Sequence, residues 1–158
     1  MRVTGGKWKG RQLASFTAEH IRPTTDQVKQ SLFNILGQDL SGLRVLDLFA
    51  GTGSLGIEAL SRGANEVVAV EKNVQSLKVI QKNVQDLDIG QPSYKVVAKD
   101  VIEFLNKTKE MPFDLILIDP PFRFKLADPT MVALGAATRI WESHTVTAIE
   151  YSPHETLL

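Results

Sequence analysis

The chain has 158 residues, with 18 basic and 18 acidic side chains, three histidines and no cysteine. This length suits one hydrophobic core, and the missing cysteines exclude disulfides and thiolate metal sites. No apolar run approaches the ~20 residues that span a bilayer, and the first residues lack a signal-peptide core. We therefore expect a cytoplasmic protein of one domain, residues 1–158, without a metal.

The first 30 residues carry a local excess of positive charge, with six basic against two acidic side chains. Glycines at positions 5, 6 and 10 predict a small hairpin or loose arm over residues 1–20, followed by an α/β core over residues 21–158. A basic segment on an otherwise acidic protein is typical of contact with a phosphate backbone. The candidate nucleic-acid-binding residues are Lys7, Lys9, Arg11 and Arg22. The alternative is a solvated basic hairpin.

After this arm, helical and strand patterns alternate. The first helix is predicted to be capped by Thr24 and to end at Gly37. The predicted strands are Val45–Phe49, Glu66–Val70, Tyr94–Ala98, Leu115–Ile118 and Thr145–Tyr151. The helical segments between them are Leu55–Leu60, Val74–Leu87, Val101–Lys107 and Asp128–Trp141. This alternation predicts a mostly parallel sheet covered on both faces, with ligands bound at the carboxyl ends of the strands.

A glycine-rich loop follows the first predicted strand. Gly51, Gly53 and Gly56 satisfy the dinucleotide pattern G-x-G-x-x-G, and Glu71 lies about 20 residues further on. Asp47, however, precedes the loop and would repel a pyrophosphate, whereas it would attract a cationic ligand. S-adenosylmethionine carries an ammonium and a sulfonium and no phosphate, so we expect it as the cofactor. The alternatives are a helix-capping role for Asp47 and a nicotinamide-dependent oxidoreductase.

The next two strand ends also carry acidic residues. Glu71 can accept hydrogen bonds from both ribose hydroxyls of the cofactor. Asp100 can accept one from the adenine amino group, while the backbone N–H of Val101 serves a ring nitrogen. The remaining candidate cofactor-binding residues flank these groups: Phe49, Lys72 and Asp119.

The fourth predicted strand ends in Asp119-Pro120-Pro121-Phe122, and we identify these four residues as the candidate catalytic group. Asp119 and the Pro120 carbonyl can each accept an N–H of a planar exocyclic amine, which leaves the lone pair of its nitrogen free for a methyl group. Phe122 offers a face for a base that has left its stack. The sequence therefore predicts methyl transfer to an amine.

Four stretches carry a resemblance to a known family: "GGKWKGRQL", "RPTTDQVKQSLFNIL", "VLDLFAGTGSLGIEALSRGA" and "FDLILIDPPF". Together they resemble the bacterial 16S ribosomal RNA guanine-N2 methyltransferases, which are class I S-adenosylmethionine-dependent enzymes. The resemblance implies a Rossmann-like sheet of strand order 3-2-1-4-5 and a guanine amino group in small-subunit rRNA as target. It also implies that Arg22 and Thr24 lie near the methionyl end of the cofactor.

The family usually continues into an antiparallel C-terminal hairpin, which we do not expect in this chain. Its fifth strand would then be an exposed edge, through which the protein could self-associate. The expected partners are ribosomal RNA or the small-subunit particle, and no membrane. Alternative functions are adenine-N6 or cytosine-N4 methylation of DNA, methylation of a protein glutamine, and nucleic-acid binding without catalysis.

Overall fold

The computed structural model describes residues 1–16, 25–121 and 126–149. Five parallel strands form one sheet in the order β3-β2-β1-β4-β5, which confirms the predicted topology. Their bounds are β1 Arg44–Leu48, β2 Glu66–Val70, β3 Tyr94–Val97, β4 Leu115–Ile118 and β5 Val146–Ile149. The predicted bounds of β2 and β4 are confirmed, whereas β1 begins and ends one residue earlier than predicted.

Within the described ranges, five α-helices cover the sheet. Their bounds are α1 Asp26–Leu36, α2 Ser54–Ser61, α3 Val74–Asp86, α4 Val101–Lys107 and α5 Ala127–Ala136. The predicted cap of α1 is wrong by one residue, because the side chain of Thr25, not Thr24, accepts the backbone N–H of Val28. Gly37 ends α1 as predicted.

The predicted bounds of the last helix, α5, are also wrong. It begins at Ala127, so Asp128 lies inside the first turn, and it ends five residues before Trp141. The early end has a packing reason. The chain turns away so that Ile140 is fully buried and its carbonyl accepts the N–H of Phe113, while the Trp141 indole N–H donates to the Leu134 carbonyl.

Alternating side chains of the central strands belong to two hydrophobic layers, one on each face of the sheet. Val45, Leu115 and Leu117 pack beneath α1, α2 and α3, whereas Leu46 and Ile116 pack beneath α4 and α5. All four residues of β4 are buried, as its continuous aliphatic run predicts for a parallel strand with two covered faces. The sheet is therefore a rigid support for the residues that follow each strand.

The N-terminal residues form a docked hairpin rather than a loose arm. An antiparallel bridge joins Arg2 to Gln12, and a short 3₁₀ turn, Gly6–Trp8, closes the tip. Val3 and Leu13 are buried in the layer that contains α2. This burial is what holds the hairpin against the helices, and we refer to residues 1–14 as the N-terminal hairpin.

A buried carboxylate, that of Glu58 in α2, binds the hairpin to two helices. It accepts the backbone N–H groups of Thr4 (2.9 Å) and Gly5 (3.0 Å), and it pairs with the Arg62 guanidinium at 2.8 Å and with the Lys29 ammonium at 3.7 Å. Glu58 and Lys29 are both 0% exposed. Lys29, one of the six basic residues among the first 30, therefore adds nothing to a basic surface, because its charge is neutralised inside the protein.

The hairpin tip contacts the end of α2 too closely for any side chain at position 6. Gly6 has a φ of +77°, and a Cβ there would lie 1.8 Å from the Ser61 carbonyl oxygen. The Ser61 hydroxyl fixes the same contact, since it donates to the Gly5 carbonyl at 2.6 Å and accepts the Trp8 N–H at 3.0 Å. Glycine is required here by both conformation and space.

In the described sheet β5 is an edge strand, and its first residue, Val146, is 50% exposed. Self-association through this edge stays a prediction. None of the helices in the described ranges is long and apolar enough to cross a membrane.

Replacing Glu58 by Gln should lower the free energy of unfolding by about 3–5 kcal/mol, because it leaves two buried cations without their counter-charge. Urea denaturation followed by circular dichroism measures this loss. As a control, Asp86→Asn removes an exposed ion pair with Lys82 and should cost less than about 1 kcal/mol. Equal, small losses in both variants would show that the Glu58 network does not stabilise the fold.

Candidate active site

The carboxyl ends of the parallel strands bring most of the predicted site residues to one edge of the sheet. Asp47 lies at the end of β1, and Glu71, Asp100 and Asp119 follow β2, β3 and β4. Since β1 is flanked by β2 and β4, its glycine loop is the centre of this edge. We call it the catalytic edge.

Asp47 lies beneath the glycine loop and is only 1% exposed. Its Oδ2 atom accepts the N–H of Gly56, in the first turn of α2, at 3.2 Å, so the side chain also stabilises the start of that helix. Its Oδ1 atom is buried and has no hydrogen-bond partner among the described atoms. Burial, together with the charges of Asp119 and Glu71, raises the pKa of Asp47 to about 8, against the opposing effect of the Gly56 N–H.

The loop itself begins with backbone strain that the sequence pattern did not reveal. Phe49 has a φ of +63°, an uncommon conformation for a bulky residue, and it is followed by Gly51 and Gly53 with φ values of +59° and +84°. Strain of this kind costs about 1–3 kcal/mol and is concentrated at functional sites. The sequence could not predict this strain, because a phenylalanine gives no local signal for a positive φ.

Glu71 fixes the glycine loop to the end of β2. Its carboxylate accepts the backbone N–H groups of Gly51 (2.8 Å), Asn73 (2.9 Å) and Lys72 (3.0 Å). A pyrophosphate at this loop would compete with that carboxylate for the Gly51 N–H and would be repelled by its charge. The arrangement therefore disfavours a dinucleotide, and binding of ribose by Glu71 stays a prediction.

Asp100 caps α4 and holds Lys72 loosely. Its Oδ2 atom accepts the Glu103 N–H at 3.2 Å, and its Oδ1 atom lies 3.5 Å from the Lys72 ammonium, which is largely exposed. Val101, the first residue of α4, is buried, and its N–H belongs to the helix terminus. The predicted contacts of Asp100 and Val101 with adenine remain predictions.

Asp119 and its two prolines follow β4 directly. The Asp119 N–H approaches the Leu48 carbonyl at 3.5 Å, Pro120 is buried, and Pro121 is half-buried. Asp119 lines an apolar cleft between α1 and the last two strands, together with Val28, Leu32, Leu55, Leu117, Ile118, Ala148 and Ile149. Phe122, Arg22 and Thr24 lie outside the described residues.

The basic residues of the N-terminal hairpin do not join the catalytic edge. The tip contacts Ser61 at the end of α2, and the eight residues of α2 carry that end about 12 Å from the glycine loop. Lys7 lies over the Trp8 ring at 4.4 Å, Lys9 is exposed, and Arg11 donates to the Asp86 carbonyl at 3.2 Å. Their charge is at the opposite edge of the sheet.

The described residues at the catalytic edge fit a cationic ligand. Three carboxylates, those of Asp47, Glu71 and Asp119, are close enough for the latter two to raise the pKa of the first, and one oxygen of Asp47 lacks a partner. Within the described ranges, no group of three His, Asp or Glu side chains could hold a metal ion. A positively charged organic cofactor satisfies this chemistry better than a phosphate does.

Two relatives of this chain among known proteins agree with one another in name. Ribosomal RNA small subunit methyltransferase D of Haemophilus influenzae is 38% identical over 135 residues, which are 85% of this chain and 70% of that protein. The protein of the same name from Escherichia coli is 37% identical over 131 residues, 83% of this chain and 65% of its own length. The chain thus spans about two thirds of these relatives.

Solved structures agree with this comparison. The candidate methyltransferase yhhF from Escherichia coli has a TM-score of 0.83 at 33% identity and covers 100% of this chain and 85% of its own. A hypothetical protein of Thermus thermophilus has a TM-score of 0.82 at 30% identity, over 96% and 85% of the two chains. The model of the family described as Conserved hypothetical protein 95 matches residues 1–158. The chain belongs to this family of class I methyltransferases, which confirms the predicted resemblance.

Asp47→Asn should reduce the pH dependence of stability. The carboxyl keeps its proton in the folded protein up to about pH 8 but loses it near 3.8 when unfolded, so the free energy of unfolding falls as pH rises through this window. In the variant, the fall in the free energy of unfolding should be smaller by about 1 kcal/mol per pH unit. Urea denaturation between pH 5 and 8 measures it.

Asp39→Asn is the control for this experiment, because the Ser41 hydroxyl and N–H lower the pKa of the exposed Asp39 and move its titration away from the measured range. This variant should keep the wild-type slope. A wild-type slope in Asp47→Asn as well would contradict the raised pKa.

Proposed function

We propose that this protein transfers a methyl group from S-adenosylmethionine to the exocyclic amine of a base in small-subunit rRNA, with guanine N2 as the acceptor. The observation that carries the proposal is the position of Asp119-Pro120-Pro121. This group follows β4 directly, on the strand beside β1 and its glycine loop. An acceptor held by Asp119 is therefore next to the loop that would bind the donor.

The glycine loop and the flanking acidic residues would bind the donor. Glu71, held beside Gly51, would accept the ribose hydroxyls, while Asp100 and the Val101 N–H would recognise adenine. Phe49 and Gly53 bring the loop backbone close to the ligand, and the carboxylates balance its positive charge. When bound, S-adenosylmethionine supplies an electrophilic methyl group on sulfur.

The acceptor residues act by position and electrostatics. Asp119 and the Pro120 carbonyl would accept the two N–H groups of the amine, so that its lone pair points toward the methyl group, and Asp119 stabilises the positive charge that develops on nitrogen. The buried Pro120 keeps that carbonyl fixed. Phe122 would stack on the base, and by the family resemblance Arg22 and Thr24 would lie near the methionyl end.

The choice of rRNA rests on the two relatives described above, both of which are named as small-subunit rRNA methyltransferases. The hairpin lysines and arginine support a nucleic-acid target and would supply contacts to phosphates. Their distance from the catalytic edge means that they would contribute affinity rather than chemistry. We favour RNA over DNA on the relatives alone.

Asp119→Ala should lower the rate of methyl transfer at saturating cofactor at least a hundredfold, because the main proposed partner of Asp119 is the acceptor amine. Tritiated methyl transfer to small-subunit particles that lack the modification, followed by nucleoside analysis, measures the rate and identifies N2-methylguanine. Glu103→Gln, an exposed carboxylate in the first turn of α4, is the matched control and should keep wild-type turnover. Unchanged turnover in Asp119→Ala would remove Asp119 from the mechanism.

Replacing Lys7, Lys9 and Arg11 by Gln should weaken RNA binding and reduce the slope of log affinity against log salt by about two to three. The turnover number at saturating RNA should stay within about twofold, because the tip of the hairpin is at the opposite edge from Asp119. Filter binding at several salt concentrations, combined with the methylation assay, separates the two effects.

A triple variant of equal charge change elsewhere is the control: Lys95, Lys107 and Lys109 replaced by Gln. It should keep the wild-type salt slope if the hairpin is the RNA contact. Identical slopes in both triple variants would exclude a specific role for the hairpin.

A further inference from the structure

Several buried polar atoms have no hydrogen-bond partner within the described residues, and two of them, Asp47 Oδ1 and the Tyr94 hydroxyl oxygen, lie beneath the glycine loop, while a third, the Ser54 hydroxyl, follows it in α2. An unpaired buried polar group has lost its hydrogen bonds to water without replacement, so two at one site require an explanation. Tyr94 begins β3 and is 3% exposed. The predicted site did not include it, because a tyrosine at the start of a strand is typical of a packed core residue.

Both side chains contact the same turn of backbone. A Cβ built on Gly56 would lie 3.2 Å from Asp47 Oδ2 and 3.2 Å from Tyr94 Cε2, and a Cβ on Gly53 would lie 3.0 Å from the Tyr94 hydroxyl. The carboxyl and the phenol thus pack side by side under the loop, separated from solvent. Any side chain at Gly53 or Gly56 would displace one of them.

The groups around Asp47 are acidic or neutral. Glu71 faces it from β2 and Asp119 from β4, Tyr94 lies on the side of β3, and α2 contributes the Gly56 N–H. None of the described groups that shift the pKa of Asp47 is basic. The described part of the protein therefore supplies no positive charge to Asp47, in contrast to Glu58, whose two cations belong to α1 and to the end of α2.

We propose that Asp47 and Tyr94 form a proton-linked pair that responds to the cofactor. Binding of the cation drives the Asp47 proton into solvent, and the Tyr94 hydroxyl then donates a hydrogen bond to the Asp47 carboxylate. The O–H bond of the carboxyl breaks, its electron pair stays on Asp47, and the ligand's positive charge balances the new negative charge. Tyr94 is a positioning residue, acting through Asp47. This inference rests on the proposed use of S-adenosylmethionine.

The release of a proton on binding sets how cofactor affinity changes with pH. Below about pH 8 the free protein holds a proton on Asp47 that the complex lacks, so affinity should rise with pH, by up to tenfold per unit, and level off above that pH. Above about pH 8, Asp47 is already ionised in the free protein, so binding releases no proton from it.

Isothermal titration of S-adenosylmethionine in phosphate and in Tris, at pH 6.5, 7.0 and 8.5, counts the protons released. The amino group of the ligand can also exchange protons, so the informative quantity is the difference between wild type and Asp47→Asn. We expect close to one proton at pH 6.5 and much less at pH 8.5. Binding without this difference would overturn the inference and leave the proposed function intact, whereas absence of binding would overturn both.

Tyr94→Phe tests the hydroxyl separately. It should weaken cofactor binding about tenfold at pH 7 and move proton release to higher pH, since a hydrogen bond to the charged carboxylate is lost only in the complex. Thr130→Val, which removes a buried, unpartnered hydroxyl in α5 among the described residues, is the matched control and should change neither quantity. Wild-type release and affinity in Tyr94→Phe would exclude Tyr94 from the pair.

Discussion

The buried carboxylate of Glu58 is the group on which the arrangement of this half of the molecule depends. It lies in α2, the helix that begins at the glycine loop, and it joins that helix to α1 through Lys29 and to the hairpin backbone at Thr4 and Gly5. An ion pair without solvent is stable only when all its charges and N–H groups are matched, as they are here. Contacts at the far end of α2 thus add to those that Glu71 and Asp47 make with the glycine loop itself.

Glu58 and Asp47 lie on the same layer of the protein and differ in how their charge is balanced. Two cations and two backbone N–H groups surround Glu58, whereas Asp47 accepts one N–H and faces other acids. The first arrangement gives stability in the free protein. The surroundings of Asp47 leave the free protein less stable near neutral pH than a balanced charge would. Such a loss of stability is typical of a site that binds an oppositely charged ligand.

Much of the architecture was predictable because hydrophobic patterns reflect burial. The aliphatic run of β4 and the strand β2 have the predicted bounds, and the strand ends brought Asp47, Glu71 and Asp119 to one edge. Burial of charge was not predictable, since Lys29 occupies a helix position at which lysine is ordinarily solvated. The strain at Phe49, and a Tyr94 hydroxyl that finds no partner among the described residues, likewise depend on tertiary contacts that no local pattern encodes.

The same helix separates the proposed RNA-binding tip of the hairpin from the proposed site of chemistry. Since α2 runs from the glycine loop to the opposite edge, the close contact between Gly6 and Ser61 places the basic tip one helix length from the loop. A small base extruded at Asp119 would belong to a large RNA, and a contact about 12 Å or more away on the protein is within the reach of a neighbouring phosphate backbone. Glu58 fixes the spacing between these two surfaces, because it holds the hairpin to the helix that joins them. A rigid spacing of this kind favours a structured RNA over a short single strand, which could adapt to any separation.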